Sequence, residues 1–452
     1  MALIELDLTT QPDQAAGIPP ARRYRLPGLL LAVLLLLVLG GAAPAVPMLW
    51  QPAGLLPPIG DDGPFVLDGG RIYTVTSARG TRTATAWQLG PQARKLWSAS
   101  FPAHTAGPDD VGYSRIDAER AGDVVLLSDG PSTTVLDART GRVRWSVPVP
   151  VTPVGRLGVG VTQLQQFRPG TIYDQDSGEP GSLYFSSTGQ PHTEPPRRTE
   201  VRGVDLATGA TVWSVPESGS VNVLAAPHGV PEVLILSSGR LELRDARTGK
   251  LRRQVALAPV GGERPAGGEL VDGALLVSYG LYGGQEIAYD PGTLGRLWAR
   301  PVPEVLLDPP SCADVLCYGG RASLDVLDPA TGRARWRAPD DVDLSRRAGY
   351  VIEADSRSGL LRRLVDPATG RTRVDLGGWR AEAIGPAGPA EGPILLRGSR
   401  GRDRSVVGVV LPRRDAVQPL GEIGTAVADC TADTAYVVCR IADGLRIWAY
   451  RA

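Results

Sequence analysis

The chain begins with one long apolar run and then changes period. From Leu26 to Val46 every side chain is apolar or small and none is charged. As a helix this run spans about 30 Å, enough to cross the hydrocarbon core of a bilayer. Arg22, Arg23 and Arg25 precede it, and no Lys or Arg follows until Arg71. The positive-inside rule predicts a cytoplasmic tail over 1–25, a membrane helix over 26–47 and the remainder outside the cytoplasm. The competing expectation is a cleaved signal peptide with its core at Leu29–Leu39 and small residues at Ala43-Pro44-Ala45, which exports the same remainder. The tail starts with Leu3, Ile4, Leu6 and Leu8 but is expected to be disordered. Beyond residue 60 the apolar stretches are short: DVVLLS at 123–128, EVLILS at 232–237, ALLVSY at 274–279 and YVIEA at 350–354. Their length and β-branched content predict strands.

The strands belong to a repeat. VLDARTGRVRW at 135–145, GVDLATGATVW at 203–213, LRDARTGKL at 243–251, VLDPATGRARW at 326–336 and LVDPATGR at 364–371 are copies of one unit. Degenerate copies lie at 288–298 and 86–97. In each, an alternating strand runs into an Asp (Asp137, Asp205, Asp245, Asp328, Asp366) whose carboxylate is suited to accept turn N–H groups. A Thr-Gly pair follows: Thr140-Gly141, Thr208-Gly209, Thr248-Gly249, Thr331-Gly332 and Thr369-Gly370. The Gly supplies the positive φ that a bulged return strand needs. Four residues later Trp145, Trp213 and Trp336 stand where a large side chain wedges against a neighbouring sheet. Each residue has a structural task, and none is a catalytic candidate. From Trp213 the equivalent positions Arg253, Trp298 and Trp336 follow at intervals of 40, 45 and 38 residues. Four strands in roughly 40 residues is the size of a propeller blade.

The Asp-x-x-Thr-Gly-x-x-x-Trp unit resembles the PQQ-like (quinoprotein-type) β-propeller repeat, over about residues 64–452. The resemblance implies an all-β ring of four-stranded blades, eight being expected and nine possible on a literal count. The last strands, over 425–451, form a set of three that lacks its fourth. The segment 49–59, within a juxtamembrane stretch over 48–63, is expected to supply it, because an open sheet edge invites aggregation.

The polar stretch 163–198 reads as an insertion and as the natural place for a partner contact. Asp174-x-Asp176-x-Gly178 hints at a calcium loop but lacks the closing Glu, so a solvated loop with an exposed His192 is expected. Four cysteines form two local pairs, Cys312 with Cys317 and Cys430 with Cys439, each expected to be a disulfide across a short hairpin. His104, His192 and His228 are far apart in sequence and read as surface residues.

Composition narrows the function. Basic and acidic residues balance at 48 each, which leaves no basic field for nucleic acid. The resemblance brings up a quinone-dependent dehydrogenase, which would need adjacent cysteines and an amide-and-acid calcium site. The chain has no adjacent cysteines, and its only Asn is Asn222. No catalytic residue, cofactor or metal ligand is therefore assigned. The expectation is a membrane-anchored extracytoplasmic scaffold or sensor module with an unidentified protein partner. A small-ligand or glycan receptor is the alternative, and a dehydrogenase the less favoured one.

Overall fold

The computed structural model describes residues 50–60, 63–90, 92–103, 116–155, 158–174, 182–226, 231–280, 284–301, 312–319, 324–381, 392–399, 405–424, 427 and 429–450. The expected tail and membrane helix, His104, His228 and most of the calcium-like motif lie outside these residues. Among the described residues no helix is long and apolar enough to cross a membrane.

The protein is all-β. Among the described residues its strands form six four-stranded sheets, one of three, one of two and one of eight. Five of the four-stranded sheets are antiparallel meanders over 65–102, 116–147, 152–218, 222–256 and 265–301. In four of the five the second strand is the most buried. Val124–Asp129, Glu232–Leu236 and Ala274–Tyr279 each bury four or five of their residues. These are the apolar runs read from the sequence, and their lack of alternation follows from packing on both faces.

The three-stranded sheet runs over 317–338. The eight-stranded sheet consists largely of two consecutive meanders. Val342–Arg347, Tyr350–Asp355, Leu360–Val365 and Thr372–Ala381 form the first. Ile394–Ser399, Ser405–Val410 and Gln418–Ile423 form the second. They join only at Arg380 with Arg397 and Ala381 with Leu396. The stretch 379–422, which carries no repeat motif, is thus strand-forming all the same.

The sixth four-stranded sheet is discontinuous in sequence. Cys430–Ala432, Tyr436–Ile441 and Gly444–Tyr450 take Trp50–Leu56 as their outer strand, paired antiparallel from Trp50 with Tyr450 to Leu56 with Leu445. The chain therefore meets itself. Arg440 fixes the following linker: it donates to the carbonyls of Gly60 and Gly63, pairs with Asp429 and lies over the Phe65 ring.

Buried apolar clusters lie between successive sheets. Tyr73, Trp97, Val125 and Leu136 join the first sheet to the second. Leu243 and Leu257 pack with Leu275 and Ile287 between the sheets over 222–256 and 265–301. Leu56, Ile72, Leu445 and Ile447 join the last sheet to the first. The core is thus a series of thin inter-sheet layers, each built from consecutive repeats.

Both expected disulfides form. Cys430 and Cys439 are directly opposed across an antiparallel pair. Cys312 and Cys317 depart from the hairpin reading. Cys312–Ala313 pairs in parallel with Val342–Arg347, and Cys317–Gly319 pairs with Leu324–Leu327. The reason is a sharp reversal at Asp314, whose φ is 58°, which turns Cys312 toward the following sheet.

Candidate functional site

The repeat residues converge on a turn and a junction. In four of these five turns one carboxylate oxygen of the Asp accepts three bonds. For Asp137 these come from the N–H of Arg139 (3.1 Å), the N–H of Thr140 (2.8 Å) and the hydroxyl of Thr140 (2.8 Å). Asp245, Asp328 and Asp366 repeat the set with Thr248, Thr331 and Thr369. Asp205 is held by the N–H and hydroxyl of Thr208. The Asp backbone carbonyl then accepts the N–H of the Gly four residues on, as from Gly209 to Asp205 at 2.8 Å.

Two parts of this turn escaped the sequence reading. The second carboxylate oxygen is closed by an Arg seven residues after the Asp: Arg144 on Asp137, Arg252 on Asp245, Arg335 on Asp328. A further copy, Asp355 with Ser358 and Gly359, has Ser in place of Thr and makes the same bonds, with Arg362 as its closing cation. Its signal was Asp-x-x-Ser-Gly at 355–359, between the second and third strands of its sheet instead of the third and fourth.

These contacts hold the carboxyls of Asp137, Asp328, Asp355 and Asp366 below the usual carboxylate range. For Asp137 the main cause is the bond from Arg144, followed by Thr140. For Asp355 it is Arg362, then Ser358. Arg335 lowers Asp328, and Thr369 lowers Asp366. A carboxyl depressed in the folded state stabilises the fold above its unfolded pKa, about 3.9 for Asp, and loses that contribution as pH falls. The melting temperature is therefore expected to hold from pH 7 to about 5 and to drop below about pH 4. An unchanged melting temperature down to about pH 2.5 would contradict this reading of the turns.

The Trp of one repeat docks on the turn of the next. Trp97 donates its indole N–H to the carbonyl of Ala138, Trp145 to Leu206, Trp213 to Ala246, Trp298 to Pro329 and Trp336 to Pro367, at 2.7–3.1 Å. Each ring covers the turn glycine. A Cβ on Gly141 would come within 2.5 Å of the Trp97 ring, and one on Gly209 within 2.8 Å of Trp145. The glycine is thus required twice, for its positive φ and for the space above it.

The junction between the sheets over 222–256 and 265–301 departs from this rule at both partners. After the turn at Asp245, the position of the Trp is held by Arg253, which is exposed. In the facing turn, Asp290 and Thr293 make the usual bonds, but the glycine position is Leu294, at φ 59°. Leu294 is buried in the cluster with Leu243 and Leu257. With no indole arriving, a side chain is tolerated above the turn and fills the layer. Arg253→Trp alone is expected to destabilise the protein through overpacking against Leu294. Leu294→Gly alone is expected to cost about 2 to 5 kcal/mol as a cavity. The pair together should recover at least about 1 kcal/mol of coupling in a double-mutant cycle. Additive losses would mean that the two positions do not share one space.

The same junction carries a surface groove of about 620 Å³, lined by Glu232, Leu243, Lys250, Leu251, Arg253 and Gly292 among others. Among the described residues no group of three His, Cys, Asp or Glu side chains could hold a metal ion.

The insertion corrects the sequence reading of His192. Its residue is 6 % exposed. The ring stacks on Phe167 at a centroid distance of 3.7 Å, and Nδ1 lies 3.0 Å from the Thr171 hydroxyl. That hydroxyl donates to the carbonyl of Arg168, so it accepts from Nδ1–H. Burial pushes the imidazole below its ordinary pKa. The cause is local folding: Pro191–His192 pairs with Tyr184–Phe185 and folds the ring inward. Ile172 and Phe185 remain exposed on this element.

Part of the chain matches a known family model. Residues 197–373 match the PQQ_2 family model, described as outer membrane protein assembly factor BamB. No curated protein matches the chain. Among solved structures, BamB from Moraxella catarrhalis is 16 % identical and covers 89 % of this chain and 98 % of its own, with a TM-score of 0.38. The computationally designed Ika8 protein is 13 % identical, with 74 % and 96 % coverage and a TM-score of 0.39. Sqt1 from Saccharomyces cerevisiae is 9 % identical, with 83 % and 100 % coverage and a TM-score of 0.40. The family match thus covers residues 197–373, and the all-β sheets with their turn-and-indole junctions extend beyond that segment.

Proposed function

We propose that the protein is a non-enzymatic protein-binding scaffold or sensor module, held at the extracytoplasmic face of a membrane by the apolar run at 26–47. The observation that carries this reading is the match of residues 197–373 to a family model described as an outer membrane protein assembly factor. The internal geometry supports it. The recurring Asp, Thr, Gly, Arg and Trp side chains serve turns and junctions, and all four cysteines serve local disulfides. Surface for recognition lies in the outer edge strands and the insertion at 163–198.

We further propose nine blades, one more than the eight expected from sequence. Among the described residues, nine buried clusters each lie between successive meanders, and the ninth returns to the first sheet.

The test is to extract the full-length protein from its native membranes in mild detergent and measure its mass by light scattering. Elution with a second protein at fixed stoichiometry is expected. Pyrroloquinoline quinone with calcium is expected to leave the melting temperature unchanged. Elution alone, or quinone-dependent dehydrogenase activity, would overturn the reading.

A further inference from the structure

The junction between the sheets over 222–256 and 265–301 combines three features that point to one occupant. First, Leu251–Ala256 is the edge strand of its sheet, and Val255 alone among its residues is even half-buried. Such an edge offers a row of unpaired N–H and C=O groups. Second, the indole that crosses neighbouring junctions is replaced by Arg253, and the groove of about 620 Å³ opens beside the strand against Leu243 and Leu251. Third, the charges are unequally used. Arg252 is committed inward, to Asp245 at 2.6 Å and Glu232 at 3.2 Å. Arg247, Lys250 and Arg253 have no ion-pair partner among the described residues. The edge is open, and its groove holds Leu243 and Leu251 beside the Glu232–Arg252–Asp245 ion pairs, to which Lys250 and Arg253 add positive charge.

We propose that this edge docks an extended acidic segment of a partner protein. The segment adds a strand to Leu251–Ala256, so that main-chain hydrogen bonds supply affinity. Alternate side chains of an extended segment fall on one face. The carboxylates on that face meet Lys250 and Arg253 at the groove. Charge complementarity selects an acidic segment over a basic one and speeds encounter. The proposal rests on the scaffold reading and names the chemistry of the partner.

The test uses the full-length protein in mild detergent and two peptide probes, acetyl-Glu-Val-Glu-Tyr-Glu-Val-Glu-amide and the same peptide with Lys for Glu. The acidic probe is expected to bind at least about tenfold more tightly than the basic one. Lys250→Glu with Arg253→Glu should weaken the acidic probe by at least about tenfold while the melting temperature holds, since both side chains are exposed. Proline in place of the central Tyr should also weaken it, because proline removes a donor from the added strand. Equal binding of the two probes, or an affinity untouched by the charge reversal, would overturn the proposal. The same double variant in the native-membrane extraction separates the two readings. A native partner lost with the variant supports the edge as its docking site. A partner retained at full stoichiometry removes this edge and leaves the scaffold standing. If the unaltered protein brings no partner, the scaffold reading fails, and the peptide titration still decides on the edge.

Discussion

Gly209→Val is expected to destabilise the protein by about 3 to 5 kcal/mol, read as a loss of melting temperature or of denaturant midpoint. Two costs add. Gly209 sits at φ 75°, where a β-branched residue is strained. A Cβ there would also come within 2.8 Å of the Trp145 ring, so the side chain must displace an indole that bridges two sheets. Once the ring moves, its N–H loses the carbonyl of Leu206, and a half-buried donor is left unpaired. The same outcome is expected for Gly141→Val, where the neighbour is Trp97, and for Gly332→Val, where it is Trp298. Unchanged melting for all three would contradict the junction as described.

Deleting residues 50–56 from the chain is expected to convert a monomer into oligomers and to lower its thermal stability. The deletion strips the outer strand from Gly444–Tyr450 and exposes the edge to other molecules. It also removes Ala53 and Leu56, both buried in the layer that joins the last sheet to the first. Leu56 alone contributes about 1.5 to 3 kcal/mol by burial. Light scattering at increasing protein concentration is the measurement. A clean monomer with an unchanged melting temperature would mean that the ring does not depend on this strand.

Much of the architecture is legible in the chain because the repeat is local. The Asp, Thr and Gly of each turn sit within five residues, and their chemistry dictates the bend wherever they occur. The strands before them are apolar on both faces and stand out as short runs. Features that couple one repeat to the next are harder to read. Trp97 and Gly141 are partners, yet they are 44 residues apart and look like independent consensus positions. The joint departure at Arg253 and Leu294 hints that they share a space. The Arg at the seventh position was hidden by an Arg-rich composition, in which an ordered cation looks like any other. His192 read as exposed because its neighbours in sequence are polar. Its burial comes from Phe167 and Thr171, more than twenty residues upstream. Cys312 read as a hairpin partner of Cys317 because spacing says nothing of the left-handed turn at Asp314 between them.

The candidate docking edge was the least legible element. LRRQVA at 251–256 is an unremarkable basic strand until its neighbours are known. Its meaning comes from the missing indole, the groove and the commitment of Arg252 to Asp245 and Glu232, all of which are three-dimensional facts.

A crosslinked pull-down of the tagged full-length protein from its native membranes tests the scaffold most directly. The account predicts one protein partner at fixed stoichiometry, lost or reduced when 163–198 is deleted or when Lys250 and Arg253 are reversed in charge. No partner, under conditions that capture a known membrane complex, would contradict it.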